Sequence, residues 1–106
     1  MATKKAAVIR DIKRYIARLK KSGIPVEKVL LFGSWARGTP REDSDVDIAL
    51  ISPAFTGDRF LDRRKIVPLR REINSRIEPI PFNPQTFAGG GILVEEIIRY
   101  SEEIVS

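Results

Sequence analysis

Asp45 and Asp47 stand two residues apart at the head of the run Val46 to Ile51, VDIALI, and an extended run turns alternate side chains to one face. At about 3.4 Å per residue the two carboxylates sit about 6.8 Å apart along such a strand, while Val46 and Ile48 face the opposite way, into a core. Two anions this close repel, and a cation between them removes the conflict. Hard oxygen donors suit Mg²⁺ or Mn²⁺. The same residues also suit a plainer role, a solvated turn over Glu42, Asp43, Ser44 and Asp45 with Asp47 exposed on the strand that follows. A second feature lies just upstream. Val29 to Phe32 is a short apolar run that stops on Gly33 and Ser34, where glycine allows a sharp turn and a close ligand approach. If Ser34 caps a helix built from Trp35, Ala36 and Arg37, the free N–H groups there suit phosphate oxygens. An ordinary strand-to-helix turn is the alternative.

Composition narrows the chemistry. The chain has no cysteine and no histidine, so disulfides, thiolate sites and the commonest general base are excluded. Catalysis must rest on carboxylates, hydroxyls and bound metal. With 106 residues, 42% of them hydrophobic and 31% charged, the chain reads as one soluble globular domain, 1–106. No stretch approaches the roughly 18 apolar residues of a membrane span, and the charged N-terminus does not resemble a secretory leader, which points to the cytoplasm.

The elements that position these residues follow from periodicity. Val8, Ile12, Tyr15, Ile16 and Leu19 form one stripe of an amphipathic first helix, ended by Ser22-Gly23 with Pro25 beyond. That helix carries Lys4, Lys5, Arg10, Lys13, Arg14, Arg18, Lys20 and Lys21 against Asp11 alone, which suits either a solvated face or, less well, a nucleic-acid surface. Gly38 to Pro40 ends the short helix, and Arg41 to Asp43 leads to the acidic strand. Asp58 to Ser75 reads as a helix with a rough apolar face of Phe60, Leu61, Arg64, Ile66, Val67, Leu69 and Ile73, broken or kinked near Pro68. Arg76 to Phe82 is a short strand whose Pro79 and Pro81 place it at a sheet edge or end it early. Asn83 to Gly91 is turn-rich, Ile92 to Tyr100 is the last helix, and Glu102 to Val105 adds a small strand or turn. Arg37 would reach a phosphate or a site carboxylate, or serve only as an ion-pair partner. Trp35 would stack on a base or pack against the first helix. Tyr15 and Tyr100 are each open to burial or modification.

Gly33-Ser34-Trp35-Ala36-Arg37-Gly38 followed by Ser44-Asp45-Val46-Asp47 closely resembles the signature of the nucleotidyltransferase superfamily typified by DNA polymerase β, in particular its minimal nucleotidyltransferases. The resemblance is tight over residues 30–51 and loose elsewhere. It implies an α+β fold like the polymerase β palm, with a small mixed β-sheet of three to four strands flanked by α-helices. It implies a third acid on a later strand, here Glu78, where most relatives carry aspartate. It further implies ATP as substrate and two Mg²⁺ ions, with Asp45 and Asp47 bridging both ions and Glu78 holding the one nearer the acceptor. Gly33, Ser34, Arg37 and Ser44 then form the nucleotide-binding set. Small members of this kind resemble the antitoxin half of two-gene modules whose partner is a helical HEPN toxin, and family knowledge implies AMP transfer to a tyrosine of that partner. An assembly with the partner is expected. The other reading is a binding module that neutralises a HEPN partner by contact, with a weak or vestigial metal site.

Overall fold

The computed structural model describes residues 4–40 and 44–104. Arg41, Glu42 and Asp43, expected to form a polar loop, and Val105 lie outside the described residues. Helix α1 spans Lys4–Lys21, and the five apolar residues expected on its inner face, Val8, Ile12, Tyr15, Ile16 and Leu19, are the ones it buries. At roughly 1.5–3 kcal/mol for each large apolar side chain removed from water, that stripe fixes the helix to the sheet. Its end follows the pattern of Gly23 in the left-handed region, φ 89°, with Ile24 N–H donating to Leu19 O at 3.0 Å and Gly23 N–H to Lys20 O at 3.0 Å.

Strand β1 (Lys28–Phe32) leads through helix α2 (Ser34–Arg37) to strand β2 (Val46–Ile51). Helix α3 (Arg59–Ile66) and a 3₁₀ turn (Val67–Arg70) cross to strand β3 (Ile77–Phe82), and α4 (Pro84–Ala88), α5 (Ile92–Arg99) and β4 (Glu102–Glu103) complete the chain. The four strands form one mixed sheet in the order β3-β2-β1-β4, with β2 and β3 parallel and the other two pairs antiparallel. This is the expected α+β architecture. Alternation along β2 divides the core in two. Val46, Ile48 and Leu50 pack with α1, Ile66 and Trp35 on one face, while Ala49 and Ile51 pack with Val94 and Ile97 of α5 on the other. No helix among the described residues is long and apolar enough to cross a membrane.

Three local expectations change. The helix drawn from Asp58 to Ser75 ends as an α-helix at Ile66, because Pro68 lacks an N–H and the chain tightens into the 3₁₀ turn. Asp58 is its N-cap, accepting from Phe60 and Leu61 N–H at 3.0 and 3.2 Å. Phe60 and Leu61 therefore start the helix on its outer side, 71% and 46% exposed, and do not join the apolar face. The segment after β3 is not only turn. Asn83 and Thr86 exchange side-chain and backbone hydrogen bonds in a capping box, with Pro84 in the first turn, and start α4.

Pro79 and Pro81 do place β3 at the sheet edge, without shortening it. Arg76 and Phe82 carbonyls accept from Val46 of β2 and from Ser52 just beyond it, so even-numbered residues bond inward and odd-numbered ones face out. On that outer row the two prolines have no N–H, and Ile77 N–H donates to Asn74 O at 3.2 Å. Arg70 Nη1 donates to Ile77 O and Arg63 Nη1 to Pro79 O, each at 2.6 Å. Several cations of α1 are likewise occupied by the fold. Lys5 pairs with Glu102 at 2.7 Å, and Arg18 donates to the carbonyls of Leu69 and Arg71 at 3.2 and 2.6 Å.

Candidate active site

The site forms where the end of β1 meets the start of β2. Phe32 is the register partner of Asp47, so the turn that follows Phe32 passes directly beside the Asp47 side chain. Gly33 adopts φ 73° and ψ −151°, a conformation that essentially only glycine holds without strain. A Cβ added there would collide with Oδ2 of Asp47 and stand 3.3 Å from its Cγ. Glycine thus serves both the turn and the close approach, and the approaching group is the carboxylate. Gly33 is itself the N-cap of α2, with no side-chain capping bond. Ser34 is the first helical residue, not the cap, because the backbone reversal is completed one residue earlier; its side chain is half-buried and not sealed beneath others.

Asp45 precedes β2 and is exposed; Asp47, inside the strand, is half-buried on the face that α5 covers. Burial lifts the Asp47 carboxyl above its ordinary value, and the like charges of Asp45, Glu78 and Glu96 lift it further. Neither aspartate makes an ion pair among the described residues, in contrast to the glutamates around them. Ser44, half-buried, leads into Asp45.

Glu78 is the register partner of Asp47 on β3. Its carboxylate, however, is held at both oxygens, by Arg70 Nη1 at 3.0 Å and Arg63 Nη2 at 3.2 Å. Arg37 is similarly engaged. Its Nη2 lies 2.6 Å from Glu96 Oε1, and its guanidinium covers the ring of Tyr100 at 5.4 Å. Trp35 is buried with the α1 core cluster, its Nε1 without a hydrogen-bond partner among the described residues, so packing against the first helix is its role. Tyr15 is sealed, its hydroxyl donating to Ile66 O at 2.6 Å, and burial pushes its ionisation up.

Asp45 and Asp47, which make no ion pair among the described residues, fit a divalent cation, since a bound ion would offset the burial and the repulsion that raise Asp47. Glu78 does not fit as a third ligand while both its oxygens face arginines. Among the described residues no three acids are gathered closely enough to hold a metal. The sequence points to Gly33, Ser34, Arg37, Ser44, Asp45, Asp47 and Glu78 as one site. The fold brings Gly33, Asp45 and Asp47 together, sets Glu78 beside them but turned to the arginines, and holds Arg37 on α5. Glu96 was missed; an acid on a helix 49 residues after Asp47 carries no motif, and only the sheet-facing pattern of Val94 and Ile97 hints at its placement.

An acidic strand beside a glycine turn, on a mixed sheet with helices on both faces, defines a nucleotidyl-transfer fold. The chain belongs to the nucleotidyltransferase domain family, whose model matches residues 9–86. No curated protein matches it in sequence. Among solved structures it is similar to a Sulfolobus solfataricus chain assigned as a nucleotidyltransferase, at 20% identity and TM-score 0.63, covering 97% of this chain and 89% of that one. It is similar to a chain of a toxin–antitoxin structure with AMP-PNP, at 18% identity and TM-score 0.59, covering 92% and 73% of the two chains. It is also similar to a chain of a mutant MntA-HpeT toxin–antitoxin structure, at 14% identity and TM-score 0.56, covering 89% and 72%. At these identities the likeness concerns the fold.

Proposed function

We propose that this chain transfers AMP from ATP to a tyrosine hydroxyl of a HEPN-type toxin and acts as its antitoxin. The observation that carries the reading is Gly33 pressed against Asp47, which puts a glycine turn directly beside two carboxylates that make no ion pair among the described residues. The likeness of the fold to chains of toxin–antitoxin structures, one of them with AMP-PNP, supports it. In the transfer an acceptor hydroxyl attacks the α-phosphorus of ATP and pyrophosphate leaves. Asp45 and Asp47 would hold Mg²⁺, which supplies neutralising charge for the triphosphate. The Gly33-Ser34 turn and Ser44 bind and orient the phosphates, and Arg37 contributes positive charge at the far end of α2. Glu78 would complete the acidic set only on leaving Arg63 and Arg70. The protein's own part is position and charge.

The test is transfer of α-phosphate label from ATP, with Mg²⁺ or Mn²⁺, onto a HEPN partner purified unmodified. Label on a partner tyrosine is the expected outcome, and its absence with both ions sinks the proposal. One observation favours a second reading. The locked state of Glu78 suits a binding module that neutralises its partner by contact. Replacing Asp45 and Asp47 by asparagine separates the two, since neutralisation that survives the change supports the module.

A further inference from the structure

We propose that the chain is also a substrate of its own reaction, transferring a nucleotidyl group onto the phenol of Tyr100. The inference rests on the transferase reading above and adds an acceptor that lies outside residues 9–86, the part matched by the family.

The chain has two tyrosines, and the fold treats them oppositely. Tyr15 is fully buried with its hydroxyl committed to Ile66 O at 2.6 Å, so it offers no nucleophile. Tyr100, where α5 ends, is 50% exposed. The guanidinium of Arg37 stacks on its ring at 5.4 Å, and Glu96, one turn earlier on α5, holds the same guanidinium at 2.6 Å. Arg37 closes α2, whose four residues rise about 6 Å at 1.5 Å each. The other end of α2 is the Gly33-Ser34 turn that touches Asp47. A solvent-reachable phenol is thus packed on the guanidinium that closes α2, the short helix whose other end is the phosphate turn, and it caps a short helix followed by a two-residue strand.

The step balances without any further reactant. Tyr100 Oη forms a bond to the α-phosphorus of a nucleoside triphosphate, the bond from that phosphorus to the bridging oxygen breaks, and pyrophosphate leaves with the electron pair. The phenolic proton passes to water. Modification places a phosphodiester where Arg37 now meets the ring. The added anion then competes with Glu96 for the guanidinium.

The experiment is incubation of the intact chain with α-phosphate-labelled ATP and Mg²⁺, with and without a HEPN partner. Intact mass and peptide mapping are read before and after incubation, and nucleotide binding is followed by thermal shift. The expected result is a gain of one adenylyl group mapping to Tyr100, lost at least tenfold in Tyr100→Phe and in the double variant Asp45→Asn, Asp47→Asn. Tyr100→Phe keeps the ring under Arg37, and the wild-type peptide map is decisive without any variant. Label on the partner, or on another hydroxyl of this chain, with Tyr100 unmodified overturns the inference and leaves the transferase reading standing. No label anywhere and no shift with ATP overturns both.

Discussion

Glu78 lies directly across from Asp47 on the neighbouring parallel strand, yet both of its carboxylate oxygens are bound by arginines that reach over the sheet edge. Arg63 and Arg70 bind the Ile77 and Pro79 carbonyls with the same side chains, so they are part of the sheet as well as counter-charges of the site. Replacing Arg70 by alanine is expected to lower stability by about 1–2 kcal/mol, through the lost charge-assisted hydrogen bonds. It is also expected to raise affinity for Mg²⁺, because Glu78 loses half of its neutralisation. Chemical denaturation without metal and calorimetric Mg²⁺ titration read the two effects separately. A variant weaker in both would mean that Glu78 has no part in cation binding.

Asp47→Asn removes a carboxyl that burial and three neighbouring acids disfavour in its charged form. In metal-free buffer at neutral pH this variant should melt above the wild type, while losing about 10²–10³-fold in transfer rate. A melting point at or below that of the wild type would contradict the unfavourable charge inferred for Asp47.

The same group sets a pH dependence. Asp47 binds its proton more tightly folded than unfolded, so the folded state gains stability as pH falls from neutral through the raised value toward the ordinary aspartate range, where the gain is complete. Thermal melts of wild type and Asp47→Asn over that interval, without divalent metal, should converge toward the acid end, and added Mg²⁺ should reduce the difference near neutrality. Parallel curves would contradict it.

Two glycines in the left-handed region offer a controlled comparison. Gly23 has open space around it, so Gly23→Ala carries the backbone term of about 1–2 kcal/mol and should leave activity unchanged. Gly33→Ala adds a collision with Asp47 to a strain of about 1–3 kcal/mol and should abolish nucleotide binding. Equal effects of the two on ATP affinity would remove the turn from the site.

Much of this arrangement is legible in the amino-acid order. The α1 stripe from Val8 to Leu19 repeats every three or four residues and becomes the buried face, and Pro68, Pro79 and Pro81 mark a helix end and a sheet edge because a missing N–H has the same consequence in any context. The glycine turn and the Asp45-Asp47 pair are local as well. What was not legible is long-range. Arg63 and Arg70 find Glu78 from 15 and 8 residues away, and Arg37 finds Glu96 from 59 away, and nothing in the spacing of charges on a helix distinguishes such pairs from solvated ones. The α4 signal was present in Asn83, Pro84 and Thr86, but turn-forming residues and helix-capping residues are the same types, and the segment before Gly89 is only five residues long.

The outer row of β3 offers an incoming chain almost nothing to pair with. Two of its positions have no hydrogen to give, a third has already given its own, and two carbonyls are filled by guanidinium groups. Stacking of copies edge against edge, the first step toward fibrils, is blocked on that flank without any charge having to point inward. Concentrated protein is thereby kept from polymerising through this side.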